Sequence, residues 1–203
     1  MLVALVLAAG ESTRMGSQKS LLPDPDGRPF VARVVKTLHD AGLADIVVVT
    51  GAAHADIVDA VTHGTSAAVR FARNPDPSRG QLSSLLVGMD AAVGPTTDGL
   101  LVTLVDVPLV RESTVRAVVD AWRASRAPIV RPAIGDRHGH PVIFDRQLFG
   151  ELHDAPLGSG AKTVVRAHAA EILNVPVDDE GCLVDVDTPE DYKALPDRVG
   201  GAR

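Results

Sequence analysis

Three observations predict an α/β fold with a mostly parallel sheet between helical layers. Aromatic residues make up only 3% of the chain, so Val, Leu, Ala and Ile must supply the core, as in buried parallel strands flanked by helices. Short Val/Ile/Leu-rich runs recur with helix-like stretches between them, the pattern that produces βαβ units with right-handed crossovers. Most of these runs are uninterrupted rather than alternating, which fits strands covered on both faces. At 203 residues the chain is long enough for one well-filled core and too short for two ordinary domains. Residues 1–196 are therefore read as one domain and 197–203 as a frayed tail.

Taken in order, strands are expected at Leu2–Leu7, Ile46–Thr50, Val69–Ala72, Gly99–Val105, Pro128–Arg131, Pro141–Phe144, Ile172–Val175 and Leu183–Val186. Phe30–Ala41 carries Val31, Val34, Val35 and Leu38 at the three-and-four spacing of an amphipathic helix that ends before Gly42. Ser83–Ala92 and Ser113–Trp122 follow the same rule, with Ser113 as the N-cap of the second. Asp24–Pro29 and Asn74–Gly80 are rich in Pro, Gly and Asp and are expected as loops.

A net charge of −6 argues against a broad basic surface for nucleic acid and leaves any phosphate to local cations. Cys182 is the single cysteine, so neither an internal disulfide nor a thiolate metal cluster forms, and a reducing compartment is the natural setting. The apolar opening MLVALVLAAG lacks a basic flank and meets polar residues before it reaches membrane-spanning length. It is expected as a strand, and the protein as cytoplasmic, with no membrane partner.

Directly after the first strand comes LAAGESTRMGSQK, Leu7 to Lys19. The small side chains of Ala8, Ala9 and Gly10 let the backbone approach a ligand, and successive N–H groups in such a turn point at anionic oxygens. Arg14 and Lys19 add the full charges that a triphosphate needs, one as a rigid fork and the other as a mobile ammonium. The segment fits neither the Walker pattern, which needs Lys directly after its second glycine, nor GxGxxG.

Two acidic positions complete the pattern. Asp106 follows the Gly99–Val105 run, placing a carboxylate at the carboxyl edge where open α/β sheets bind ligands. Mg²⁺ takes one or two carboxylates plus phosphate oxygens and water, which makes Asp106 the first metal ligand. In LVDVDTPED, strand alternation puts Asp185 and Asp187 on one side, where a cation would relieve their repulsion. Thr188 and Pro189 read as the N-cap and first position of a short helix.

Together these segments resemble the signature of the MobA-like nucleotidyltransferases, and Ala8-Ala9-Gly10 looks most like the molybdenum cofactor cytidylyltransferases. The resemblance spans nearly the whole chain. It implies a Rossmann-like three-layer sandwich of the nucleotide-diphospho-sugar transferase type. It implies Mg²⁺ as cofactor and transfer of a nucleotidyl group from a triphosphate to a phosphorylated acceptor, with loss of pyrophosphate. Leu7, Ala8, Ala9, Gly10, Arg14 and Lys19 would hold the nucleotide, Ser83 and Ser84 would contact it, and Asp187, favoured over Asp185, would supply the second metal contact. Gly139-His140-Pro141 matches the acceptor-side segment of the cytidylyltransferase group. LGSGAK matches a further segment that usually has Asp where this chain has Ser159, and it adds Lys162 on the acceptor side.

The resemblance implies molybdopterin as acceptor and CTP as donor, because the guanylyl branch usually has Ala-Gly-Gly and the extra methyl of Ala9 narrows the space by the base. In that mechanism Arg14, Lys19 and Asp106 act on the triphosphate, and His140 orients the acceptor phosphate rather than serving as its base. Guanylyl transfer and transfer to a sugar phosphate are the competing enzyme readings. A nucleotide sensor or molybdoenzyme chaperone would keep the loop yet dispense with Asp106 and Asp187.

Overall fold

The structure is a computed structural model that describes residues 1–10 and 18–195. Arg14 and Gly16, in the loop that follows the first strand, and the tail 197–203 lie outside the described residues. The centre is β1 (Leu2–Ala8), paired in parallel with β2 (Ile46–Thr50) and β4 (Gly99–Leu104); β3 (Val69–Arg73) adds to β2 in parallel. Beyond β4 the sheet continues through β7 (Val142–Asp145), antiparallel to its neighbours, to β5 (Ile129–Ile134). The two-residue β6 (Arg137–His138) folds back on β5, and β8 (Ile172–Pro176) joins β5 in parallel. The sheet is thus mostly parallel, as its apolar runs predict, with β6 and β7 reversed.

Both faces are covered. α1 (Phe30–Asp40), α2 (His54–Gly64) and α4 (Glu112–Ser125) pack on one, while α3 (Gln81–Ala92), α5 (Phe149–Asp154) and α6 (Lys162–Ala167) pack on the other. This explains the unbroken apolar run of β1: Ala4, Val6 and Ala8 enter the first core, and Val3, Leu5 and Leu7 the second. Each Val or Leu so buried contributes roughly 1.5–3 kcal/mol, so neither face tolerates a polar residue.

Two expectations need correction. The Leu183–Val186 strand does not form. A 3₁₀ turn over Glu180–Leu183 is followed by irregular chain, and Val186 N–H bonds the Asp106 carbonyl (2.8 Å), beyond the end of β4. The run is apolar because Val186 is fully buried, yet it lies over the edge of the sheet and finds no ladder partner. Ser113 is not a cap either. α4 begins at Glu112, and its start is capped from a distance by buried Asp179, whose Oδ2 accepts from Arg111 N–H (2.8 Å) and Thr114 hydroxyl (2.6 Å). A carboxylate there also suits the helix dipole. Thr188 does cap α7 (Pro189–Lys193), in a reciprocal box with Asp191. Among the described residues no helix is long and apolar enough to cross a membrane.

Candidate functional site

The carboxyl edge of β1 and β4 collects the charged residues. Past the end of β1, Gly10 O accepts from the Gln18 amide (3.2 Å), and Ser20 hydroxyl reaches back to Ala8 O (3.4 Å). These bonds fix a 3₁₀ turn over Lys19–Leu21 beside the strand end. Ala8 and Ala9 bury their methyls in opposite cores, so their smallness serves the packing as well as any ligand; Gly10 is exposed with open space around it.

Lys19 is largely buried, with its side chain 12% exposed, and it points at the predicted metal acids. Its Nζ lies 2.5 Å from Asp187 Oδ1 and 3.6 Å from Asp106 Oδ2. Residues 168 positions apart in sequence thereby meet at one point. Asp106 Oδ1 is buried with no hydrogen-bond partner among the described residues. Burial pushes the Asp106 carboxyl up from its ordinary range; Lys19 opposes this, and Asp185 and Asp187 add to it. Burial likewise raises Asp185, with Asp187 adding to the effect. An orphaned carboxylate oxygen in an excess of negative charge suits a divalent cation. Among the described residues no three His, Cys, Asp or Glu side chains cage an ion by themselves.

Asp185 and Asp187 do not share a strand face as alternation predicts, because the strand is absent. Asp187 meets Lys19, whereas Asp185 lines a larger cavity.

Two cavities adjoin these groups and share Leu7, Gly80, Gln81 and Leu104 as wall. The smaller, about 220 Å³, is lined by Ala9, Gly10, Lys19, Ser84 and Asp106 among others. Ser83 and Ser84 fall in the first turn of α3, both accepting from buried Asn74 Nδ2 (2.9 and 3.0 Å). Ser83 also donates to Gly80 O (2.7 Å), so it secures the loop, and only Ser84 lines the smaller cavity. Gly80, at φ 95°, makes the left-handed turn into α3 that a side chain would strain.

The larger cavity, about 790 Å³, is walled by Leu82, Leu85, Val102, Phe144 and Val165, with Arg131, Lys162, Gly139 and His140 contributing polar atoms. Gly139 is required there: a Cβ would stand 1.8 Å from the Cys182 carbonyl oxygen. Burial holds His140 below its ordinary pKa, with the Val102 carbonyl and Asp106 pulling the other way. The ring is therefore neutral near pH 7. Its Nδ1 faces Val102 O at 3.5 Å, and since a carbonyl only accepts, the proton is assigned to Nδ1 and Nε2 is an acceptor. Pro141 does not join this wall; it lies toward the other face beside Val34, Leu38 and Val107.

Sequence reasoning missed Arg131, whose Nε donates to Asn174 (2.8 Å) at the mouth of β5 and β8. It ends an expected strand, and nothing around it in the sequence sets it apart. Arg33 and Asp24 were missed as well. Arg33 Nε donates to Pro108 O (2.8 Å) and its Nη1 to Asp24 (2.8 Å), tying the turn after Asp106 to the 24–29 loop. A lone acid in a loop carries no sign of that partner.

The profile of the MobA-like NTP transferase domain family matches residues 4–172, a span that includes Lys19, Asp106 and His140. The chain belongs to this family. Among its relatives, nicotine blue oxidoreductase of Paenarthrobacter nicotinovorans is 32% identical over 198 residues, covering 94% of each chain. The bifunctional protein GlmU of Rhizobium johnstonii is 32% identical over 153 residues, 74% of this chain; the chain spans only 32% of that protein's length. Rv0371c of Mycobacterium tuberculosis H37Rv superposes with a TM-score of 0.78 at 28% identity, over 97% of this chain and 99% of that one. Its complex with manganese aligns at a TM-score of 0.68, over 96% and 97%.

Proposed function

We propose that this MobA-like domain transfers CMP from CTP to a phosphorylated acceptor, with molybdopterin as the favoured acceptor, and releases pyrophosphate. The observation that carries the reading is the convergence of Lys19, Asp106 and Asp187 beside a small cavity that shares a wall with a larger one. The triphosphate occupies the smaller space, and the acceptor approaches from the larger. An acceptor phosphate oxygen forms a bond to the α-phosphorus as the bond to the bridging oxygen breaks; that oxygen leaves with the electron pair as pyrophosphate. Asp106 and Asp187 would hold Mg²⁺, which when bound neutralises charge on the triphosphate oxygens. The manganese complex of Rv0371c supports a divalent ion in such a fold. Lys19 stabilises charge developing on the leaving phosphates, together with Arg14. His140, neutral and accepting at Nε2, orients an acceptor phosphate that retains a proton. Arg131 and Lys162 hold the acceptor's anionic end. Ala9 on the wall of the smaller cavity favours a pyrimidine over a purine.

The test is pyrophosphate release with each of the four triphosphates plus molybdopterin. CTP should lead, and silence with all four despite measurable nucleotide binding would move the assignment to a nucleotide sensor.

A second reading comes from the match to nicotine blue oxidoreductase over nearly the full length of both chains. The smaller cavity would then hold the phosphates of a reduced dinucleotide, and the apolar larger cavity would hold an electron-accepting heterocycle. Hydride transfer gives the carboxylates around Lys19 no task, which favours the transferase. Loss of dinucleotide absorbance with a heterocyclic dye, and no pyrophosphate, would reverse that preference.

A further inference from the structure

The ammonium of Lys19 stands where the metal reading needs an ion. It lies 2.5 Å from Asp187 Oδ1 and 3.6 Å from Asp106 Oδ2, between the two carboxylates assigned to Mg²⁺. A bound Mg²⁺ needs its oxygens at about 2.0–2.1 Å. An ammonium already in contact with Asp187 excludes that approach, and two cations so close repel each other. Yet Lys19 serves Asp106 poorly. It sits beyond hydrogen-bond distance of Oδ2 and leaves Oδ1 buried without a partner. Asp185 and Asp187 add negative charge near Asp106 that one ammonium does not cancel. The arrangement is an ion pair strong enough to occupy the site and too weak to satisfy it.

We infer that Lys19 is a resident counter-cation that keeps a bare divalent ion out, so that the metal enters together with the triphosphate that draws Lys19 away. This rests on the reading of Asp106 and Asp187 as metal ligands. A triphosphate offers the ammonium a stronger set of anions, and its departure leaves both carboxylates for the ion. Metal and nucleotide then favour each other's binding, and by linkage the effect is reciprocal. The side chain has reach enough for both positions, being flexible along its four-carbon stem. Binding order would thus be built into the apo site, with the metal arriving as its nucleotide complex.

The experiment measures binding of bare Mn²⁺, without nucleotide, by electron paramagnetic resonance. Lys19→Met should bind the ion about tenfold tighter than the natural chain, the size of an ordinary coupling between sites. Equal or weaker binding by Lys19→Met overturns the inference. Asp106→Asn is the control for the underlying reading: it should abolish that binding, and if it binds as before, the metal site itself falls and the inference with it. Should Lys19→Met fail to fold, the natural chain supplies the measurement. Saturating Mn²⁺ should raise acetylation of Lys19 by an amine-reactive reagent, read by mass spectrometry, because the ion displaces it from Asp187. Unchanged labelling at saturation overturns the proposal.

Discussion

The two cavities at the sheet edge are built on opposite principles. The smaller one is dominated by charge: Lys19 and Asp106 stand on its wall beside Leu7, Ala9 and Gly10, and Asp187 pairs with Lys19. The larger is an apolar cavity of about 790 Å³ assembled from α3, β4, β7, α6 and the 180s, with cations at scattered positions. On the proposed function, the electrostatic site would hold a ligand part common to many substrates, the polyphosphate. On the same reading, what is scattered and apolar would set which acceptor follows, and it can change residue by residue without disturbing the first. That division lets one fold serve many acceptors.

The sharpest break in the comparison is on the charge side. Asp106→Ala removes one of the two assigned metal ligands and should cut pyrophosphate release roughly 10²- to 10³-fold, the cost of one well-placed electrostatic group. Thermal unfolding should change little or improve, because the lost carboxylate is raised by burial and has an unpartnered oxygen. Turnover near normal would show that the charge site lies elsewhere. On the apolar side the loss should appear in KM instead. Arg131→Leu removes a cation from the larger cavity and should raise the acceptor KM about tenfold, near the worth of one charged hydrogen bond, with the triphosphate KM unmoved. An equal rise in both constants would mean that the two cavities do not divide the substrates.

The same division explains what the sequence made legible. The β1 run and the Asp106 strand end are local signals, each with its cause within a few residues, and both stand where the pattern puts them. Asp187, which the family resemblance favoured, meets Lys19, although the alternation that paired it with Asp185 rests on a strand that does not form. Its neighbour Asp185 turns to the other cavity for the same reason. The cap of α4 was illegible because Asp179 comes from 68 residues away. α5 and α6 are six residues each, too short for periodicity. Ile57 and Val61 of α2, four apart and buried, were a weak sign of a helix between β2 and β3. The wall of the larger cavity takes Lys162 from α6 and Arg131 from β5, and only Lys162 lies in a segment that the family resemblance marked, so Arg131 carried no signal.

The smallest effect lies in how that wall is held. His168, after α6, bonds Glu151 of α5 (2.9 Å) through Nε2 and Glu171 (2.8 Å) through Nδ1. The bond to Glu151, then that to Glu171, raise the His168 pKa above its ordinary 6.5. A raised histidine contributes stability that is fully present below the unfolded value and is lost as pH rises through the folded one. The natural chain should therefore exceed Glu151→Gln in melting temperature at pH 5.5–6. That margin should shrink through the range above 6.5. The exposed position and salt screening keep it under about 1 kcal/mol, so 1 M NaCl should erase most of it. Acceptor KM should follow the same pH course while triphosphate KM does not, since α6, which ends just before His168, lines the larger cavity through Lys162 and Val165 and not the smaller one; a margin that grows with pH would mean the imidazole is not the charged partner.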